Sequence, residues 1–282
     1  MEEFKKYVNT LAIGNGRKYE TAYNHIKPYI IKRAIEIKKS ISQRGRPVQM
    51  NYEKFFDALF FVVDEGLRYS SANLFGIPKS TFTRHVKYLS DHNILERIYD
   101  ELIDGLFLPP DNLLLTDTFT VQSKDGSEGL GYSYKYKGKK CCKVSLIADT
   151  DGIVRLATLE PGNDHDAKIL RQSVTNINLT GPVKCLADSG YVGKGLCKHC
   201  RNQNIQLIAQ PRRKNNGEIT HVLTPQNEKI LKKYRPIIEH VNSRIRKFRG
   251  INVKHVKKIS TFRTFLFVAL ISITCYHLFL VK

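Results

Sequence analysis

The hydrophobic pattern changes at Pro109-Pro110, and that change restricts the fold of this chain more than any other feature. The first proline biases Leu108 away from helix. Before it, apolar residues recur at helical spacing. After it come short apolar runs at 113–115, 143–148, 153–158, 183–187 and 205–209, which read as strands. Tyr132, Tyr134 and Tyr136 alternate with Ser133 and Lys135 as in a half-exposed strand, and Asp149-Thr150-Asp151-Gly152 reads as a turn. Helical stretches at 167–174, 194–203 and 224–248 follow. The last should break near Pro236, with that proline in a first helical turn, where it is tolerated. Strands interleaved with helices define an α/β domain. Two strands end on acids: 113–115 is expected to close at Asp117 and 183–187 at Asp188.

Residues 1–44 form a helical segment, with Ile26, Ile30, Ile31, Ala34, Ile35 and Ile37 as its apolar positions. A basic linker, 42–47, leads into a helical block over 45–108. There Ala72, Gly76 and Phe82 stand at the spacing of a helix-turn-helix, and Pro78 pre-sets the first turn of the second helix. Ile77, Phe82, Val86 and Leu89 would face inward, and Lys79, Ser80, Thr81, Thr83, Arg84 and Lys87 outward. That outer mix suits phosphates and base edges, although an ordinary helical hairpin with a polar face carries the same pattern. The uncharged run 265–281 has 17 residues where a membrane helix needs about 20, and it contains Ser272, Thr274, Tyr276 and His277. It is expected to dock on the protein's own core.

Charge narrows the function. The chain carries +20 formally, and residues 194–282 hold 19 basic residues against Glu218, Glu228 and Glu239. A surplus that dense repels itself in the compact state, and a phosphate backbone would relieve it. The 41% hydrophobic fraction argues against global disorder, and six cysteines in 282 residues are too few for a disulfide scaffold. Met1-Glu2-Glu3 opens without the apolar run of a signal peptide, so a soluble protein with a polyanionic partner is expected. Its place would be the cytoplasm or nucleoid of a bacterium, or the nucleus if the host is eukaryotic or viral. Cys197-Lys198-His199-Cys200 lacks a second ligand pair at zinc-finger spacing and reads as helix packing.

Asp117 and Asp188 at strand ends and Glu239 on a helix could hold one or two Mg²⁺ ions through hard oxygen ligands. Taken singly, each aspartate could equally be a turn or cap residue. Glu239 has Arg235 at i−4, Ser243 at i+4 and Arg246 at i+7 near one face, while Ile238, Val241, Ile245 and Phe248 form a separate apolar stripe. A plain salt-bridged surface helix would look similar.

The strings LLLTDTF, KVSLIADTDGIVRLATLEPGNDHDAKIL, LADSGYVG, LIAQPRRK and YRPIIEHVNSRIRKFRGI, in this order, resemble insertion-sequence DDE transposases, the broad group that includes PIF/Harbinger-like elements. Residues 45 onward share the resemblance, and RGRPVQMNYEKFFDALFFVVDEGLRYSSANLFGIPKSTFTRHVKYL matches the group's helix-turn-helix region. The resemblance implies an α/β, RNase H-like catalytic domain over 109–282, a mixed sheet flanked by helices, preceded by an all-α helix-turn-helix domain. It implies Asp117, Asp188 and Glu239 as the catalytic and metal-binding acids, separated by 70 and 50 residues, with His165, Asp166, Arg235 and Arg246 in support. The family's tyrosine position falls on Lys232, with Tyr234 two residues later. The cofactor implied is Mg²⁺ or Mn²⁺, as two ions. The partner implied is double-stranded DNA, both element ends and target, bound by a homodimer without a membrane. DNA contacts are expected from Lys79, Ser80, Thr81, Arg84 and Lys87 and from Arg212, Arg213, Lys214, Arg244, Lys247 and Arg249. The chemistry implied is cleavage at the element end, then attack of the freed 3′-OH on target DNA. A domesticated non-catalytic DNA-binding protein and a non-joining endonuclease of the same fold are the alternatives.

Overall fold

The structure is a computed structural model and describes residues 18–41, 50–104, 106, 112–123, 130–133, 137–177, 179, 181–213, 217–252 and 258–280. The linker 42–47, Pro109-Pro110, Tyr134, Tyr136 and Lys214 lie outside them, as do the expected domain boundaries at 44/45 and 108/109. Two compact units emerge: a helical unit drawn from 1–106, 123–128 and 244–282, and a sheet unit drawn from 107–122 and 129–243.

In the sheet unit, strands β1 (Leu113–Gln122), β2 (Gly131–Ser133), β3 (Lys139–Asp149), β4 (Val154–Pro161), β5 (Val183–Ala187) and β6 (Ile205–Ala209) form one mixed sheet. The main path runs β2-β3-β1-β5-β6, and β4 pairs with β3. The β1–β3 and β3–β4 ladders are antiparallel, whereas β1–β5 and β5–β6 are parallel. Helix α5 (Asp166–Ser173), helix α6 (Lys194–Asn202) and a 3-10 turn at Ser189–Tyr191 cover the sheet. Leu170, Val174, Leu196 and Cys200 join Leu114, Ile147, Val183, Cys185, Ile205 and Ala209 in one buried cluster. Cys200 thus packs in the core, as expected of this helix.

Strand β1 does not close at Asp117. Its pairing with β5 ends at Leu115↔Leu186, but β3 carries it on to Gln122 and sets Asp117 opposite Leu146. Phe119 and Val121 keep the period of two and are both 4% exposed, so one buried face sustains the longer strand. The apolar run alone marks only the part buried on both faces.

The β3–β4 turn is built around Asp149, which is inaccessible to solvent. Its Oδ1 accepts from the Asp151 and Ile153 N–H groups at 3.0 and 2.9 Å, and its Oδ2 accepts from Arg155 Nε at 2.8 Å. Gly152 has φ +78°, the left-handed region that glycine adopts without steric cost. A Cβ there would lie 3.5 Å from Val241 Cγ2 on helix α7 (Pro225–Arg246), so the turn abuts that helix.

Helix α7 runs without a break, and Pro236 lies inside it rather than in a first turn. Pro236 and Lys232 are both exposed, so water can satisfy the carbonyl that the proline leaves unpaired. The expected stripe is buried: Ile238, Val241, Ile245 and Phe248 are each under 5% exposed.

The helical unit comprises α1–α4 (Lys18–Ile41, Tyr52–Glu65, Lys79–Asp91 and Ile94–Ile103), α8 (Arg249–Asn252) and α9 (Ile259–Leu280). Helix α1 likewise contains an internal, exposed proline, Pro28. Asn51 caps α2 by accepting from Lys54 N–H at 3.0 Å, and Gly66 ends it at φ +67°. By length and composition α9 could cross a membrane. Here Phe262, Phe265, Leu266, Phe267, Val268, Leu270 and Ile271 are all buried, and the helix packs against α1, α2, α3 and α4. By contact, residues 244–282 group with the N-terminal helices, because α9 supplies apolar surface that those helices bury.

The helix-turn-helix spacing has a physical counterpart. Its first element is a 3-10 helix, Tyr69–Phe75, ended by Gly76 at φ +72°. Ala72 and Phe82 are fully buried, and Ile77, Val86 and Leu89 face inward. Pro78 occupies the N-cap of α3 rather than its first turn. Lys79, Ser80, Thr83, Arg84 and Lys87 are exposed and Thr81 is partly so.

Candidate active site

The parallel β1–β5 register brings the two aspartates level. Leu113, Leu114 and Leu115 stand opposite Lys184, Cys185 and Leu186, and the same offset carried two residues on sets Asp117 beside Asp188. Strand β5 stops at Ala187, so Asp188 starts the 3-10 turn and caps it by accepting from Ser189 N–H at 2.6 Å. Glu239 comes from α7. All three carboxylates line one cleft of about 50 Å³, with Leu231 and Ile238 beneath Arg235 and Glu239 on the same helix.

Arg235 sits among these acids. Its Nη2 lies 3.6 Å from Asp188 Oδ1 and its Nε 3.3 Å from Glu239 Oε1, while Nη1 donates to Gln210 Oε1. Asp117 is more deeply set. Its Oδ1 accepts from Thr118 N–H at 2.8 Å and its Oδ2 from Asn242 Nδ2 at 2.7 Å. Burial pushes its carboxyl above the usual range. The Thr118 N–H opposes the rise, the Asp188 charge adds to it, Arg235 opposes it, and Asp166 adds a further push. The cleft is therefore short of positive charge, and its donors are hard oxygens of the kind Mg²⁺ and Mn²⁺ prefer. Among the described residues no three His, Cys, Asp or Glu side chains converge closely enough to hold one ion as placed. A guanidinium occupies that role between Asp188 and Glu239.

The supporting residues divide. Asp166 opens α5 and is paired with Lys143 at 2.8 Å, and its charge reaches both Asp117 and Tyr191. His165 is the exposed N-cap of that helix and makes no side-chain cap bond. Arg246 is exposed and lies in the helical unit. Lys232 pairs with Glu228 at 2.9 Å, and Tyr234 accepts from Lys233 Nζ at 3.1 Å.

The basic residues also fall in different settings. In the sheet unit, Arg212 and Arg213 are exposed on a loop closed by Thr220, whose N–H reaches Arg212 O at 2.9 Å. In the helical unit Lys247 is exposed, Arg244 contacts His277, and Arg249 pairs with Glu65 at 2.9 Å.

The structure adds four site neighbours: Asn242, Gln210, Lys143 and Tyr191. The Tyr191 hydroxyl bonds Thr118 Oγ1 beside Asp117. Tyr191 was visible in LADSGYVG and Asn242 in EHVNSR, three residues after Glu239. Neither carries a charge pattern that singles it out.

A mixed sheet flanked by helices, with one acid on a central strand, a second just past the end of its parallel neighbour and a third on a following helix, is an RNase H-like arrangement. The fold is shared with the piggyBac transposase synaptic complex with hairpin DNA, at 11% identity and TM-score 0.50, over 93% of this chain and 75% of that one. A Mos1 transposase paired-end complex with left transposon end also aligns, at 11% identity and TM-score 0.27, over 86% and 90% of the two chains. No curated protein matches the chain significantly. The family model described as the transposase DDE domain matches residues 108–275, more than half of the chain. The chain belongs to that family of DNA transposases.

Proposed function

We propose that this transposase cuts DNA at element ends and joins the freed 3′-OH to target DNA, with Asp117, Asp188 and Glu239 as its catalytic acids. The observation that carries the reading is the register that sets Asp117 level with Asp188 in a cleft also lined by Glu239. Family membership supports divalent-metal use, and the excess of carboxylate over cation in the cleft suits such an ion. Mg²⁺ or Mn²⁺ held by Asp117, Asp188 and Glu239 would stabilise charge on phosphoryl oxygens and favour deprotonation of the attacking hydroxyl.

The chain's own residues prepare the site. Thr118 N–H and Asn242 Nδ2 hold the Asp117 carboxylate in place. Arg235 offsets part of the charge of Asp188 and Glu239 and offers N–H groups to a phosphate. Arg212 and Arg213 would contact the DNA backbone, and Lys79, Ser80, Thr81, Arg84 and Lys87 of α3 would present the surface that reads DNA. The solved piggyBac neighbour is itself a complex with DNA, which supports a DNA substrate here.

Cleavage and strand transfer with Mn²⁺, on DNA flanking the gene, test this reading. Asp117→Asn, Asp188→Asn and Glu239→Gln should each lower cleavage at least about 10³-fold, roughly 4 kcal/mol of barrier. DNA affinity should change little. Full cleavage by all three variants would falsify the site, and cutting without joining of supplied 3′-OH ends would leave an endonuclease.

A further inference from the structure

Asn242 lies on α7 three residues after Glu239, which places both near one face of the helix. It is 8% exposed, yet it carries an amide where the neighbouring Val241 carries methyl groups. Its Nδ2 donates to Asp117 Oδ2 at 2.7 Å, while Thr118 N–H donates to the other oxygen at 2.8 Å. The direction of the amide follows from its partner: turned over, its carbonyl oxygen would face a carboxylate. In the observed direction Asn242 Oδ1 is buried with no hydrogen-bond partner among the described residues. An unpaired buried acceptor costs free energy, and a leucine of similar volume would avoid that cost. Packing alone therefore does not account for an asparagine here. Its one hydrogen bond goes to the carboxylate that lines the cleft.

We propose that Asn242 is a positioning residue that fixes the Asp117 carboxylate so that its remaining lone pairs face the cleft shared with Asp188. Each Asp117 oxygen then has one protein donor, which sets the plane of the carboxylate and leaves room for a divalent cation. The proposal rests on the reading of Asp117 as a metal-binding acid.

The test compares the full chain with Asn242→Leu by thermal melting, Mn²⁺ calorimetry without DNA, and cleavage kinetics. Asn242→Leu should melt at the same temperature or higher, because the orphaned acceptor is gone. Its Mn²⁺ affinity should fall about 10–100-fold, as for other residues that orient metal ligands. Cleavage kcat should fall by a similar factor with KM for DNA unchanged. Asn242→Ser, too short to reach Asp117, should show the same losses. Mn²⁺ affinity equal to that of the unaltered protein in both variants overturns the proposal, as does a lower melting temperature that accounts for the whole loss. Asp117→Asn, measured in parallel, separates the two readings. If it binds Mn²⁺ and cleaves normally, the active-site assignment fails. If it loses both while the Asn242 variants keep both, only the role of Asn242 fails.

Discussion

Asp149 and Asp117 stand on neighbouring strands of one ladder, Asp117 opposite Leu146 and Asp149 three residues further along β3, yet they are held in opposite ways. Asp149 has no solvent exposure, takes two backbone N–H groups, and pairs with Arg155. Asp117 takes one backbone N–H and one amide, and the nearest guanidinium, Arg235, pairs with Asp188 and Glu239 instead. A carboxylate that holds a turn is matched charge for charge. Carboxylates that line the cleft outnumber their cation, and that shortfall is what a divalent ion would fill.

The contrast can be broken by experiment. The largest effect is expected at the matched pair. Arg155→Met leaves Asp149 buried without its cation, and unfolding free energy in urea should drop by about 3–5 kcal/mol. A loss under about 1 kcal/mol would mean that the hairpin does not depend on the pair. Next comes the unmatched cleft. Mn²⁺ at about 100 times its Kd should stabilise the protein by about 2.7 kcal/mol, read as a thermal shift. Asp117→Asn should lose that shift. The smallest effect is expected at Arg235, whose side chain is 37% exposed and whose partners are 44% and 57% exposed. Arg235→Gln should change unfolding free energy by less than about 1 kcal/mol, because exposed pairs contribute little. It should still slow cleavage, and a variant that cleaves normally would remove Arg235 from the site.

These placements show what the sequence could and could not reveal. The end of β5 at Asp188 was legible, because Val183–Ala187 is a short apolar run, buried and bounded by a turn. The β3–β4 turn was legible from Asp-Thr-Asp-Gly, whose first aspartate and glycine both have local work to do. Asp117 stands out in the sequence at a strand end, but its strand continues to Gln122. The antiparallel partners that extend β1 beyond Asp117 lie 19 to 27 residues away in sequence. Pro236 was read as a break, since local chemistry disfavours it within a helix. Only its exposed position shows why the helix tolerates it. Asn242 was invisible for a similar reason, because its partner lies 125 residues earlier. The apolar run near the C-terminus was rightly expected to dock on a core, but nothing local names which core.

That last helix has a consequence for how the protein is made. Helices α1 to α4 leave the ribosome well before α9, which packs against all four of them. Some 155 residues separate Ile103 from Ile259, so roughly 10–30 s of translation pass at about 5–20 residues per second before α9 emerges. Throughout that interval the early helices, α3 among them, lack the apolar surface that α9 buries against them. A nascent chain interrupted before residue 259 would carry every residue of α3 and still lack the helix it packs against.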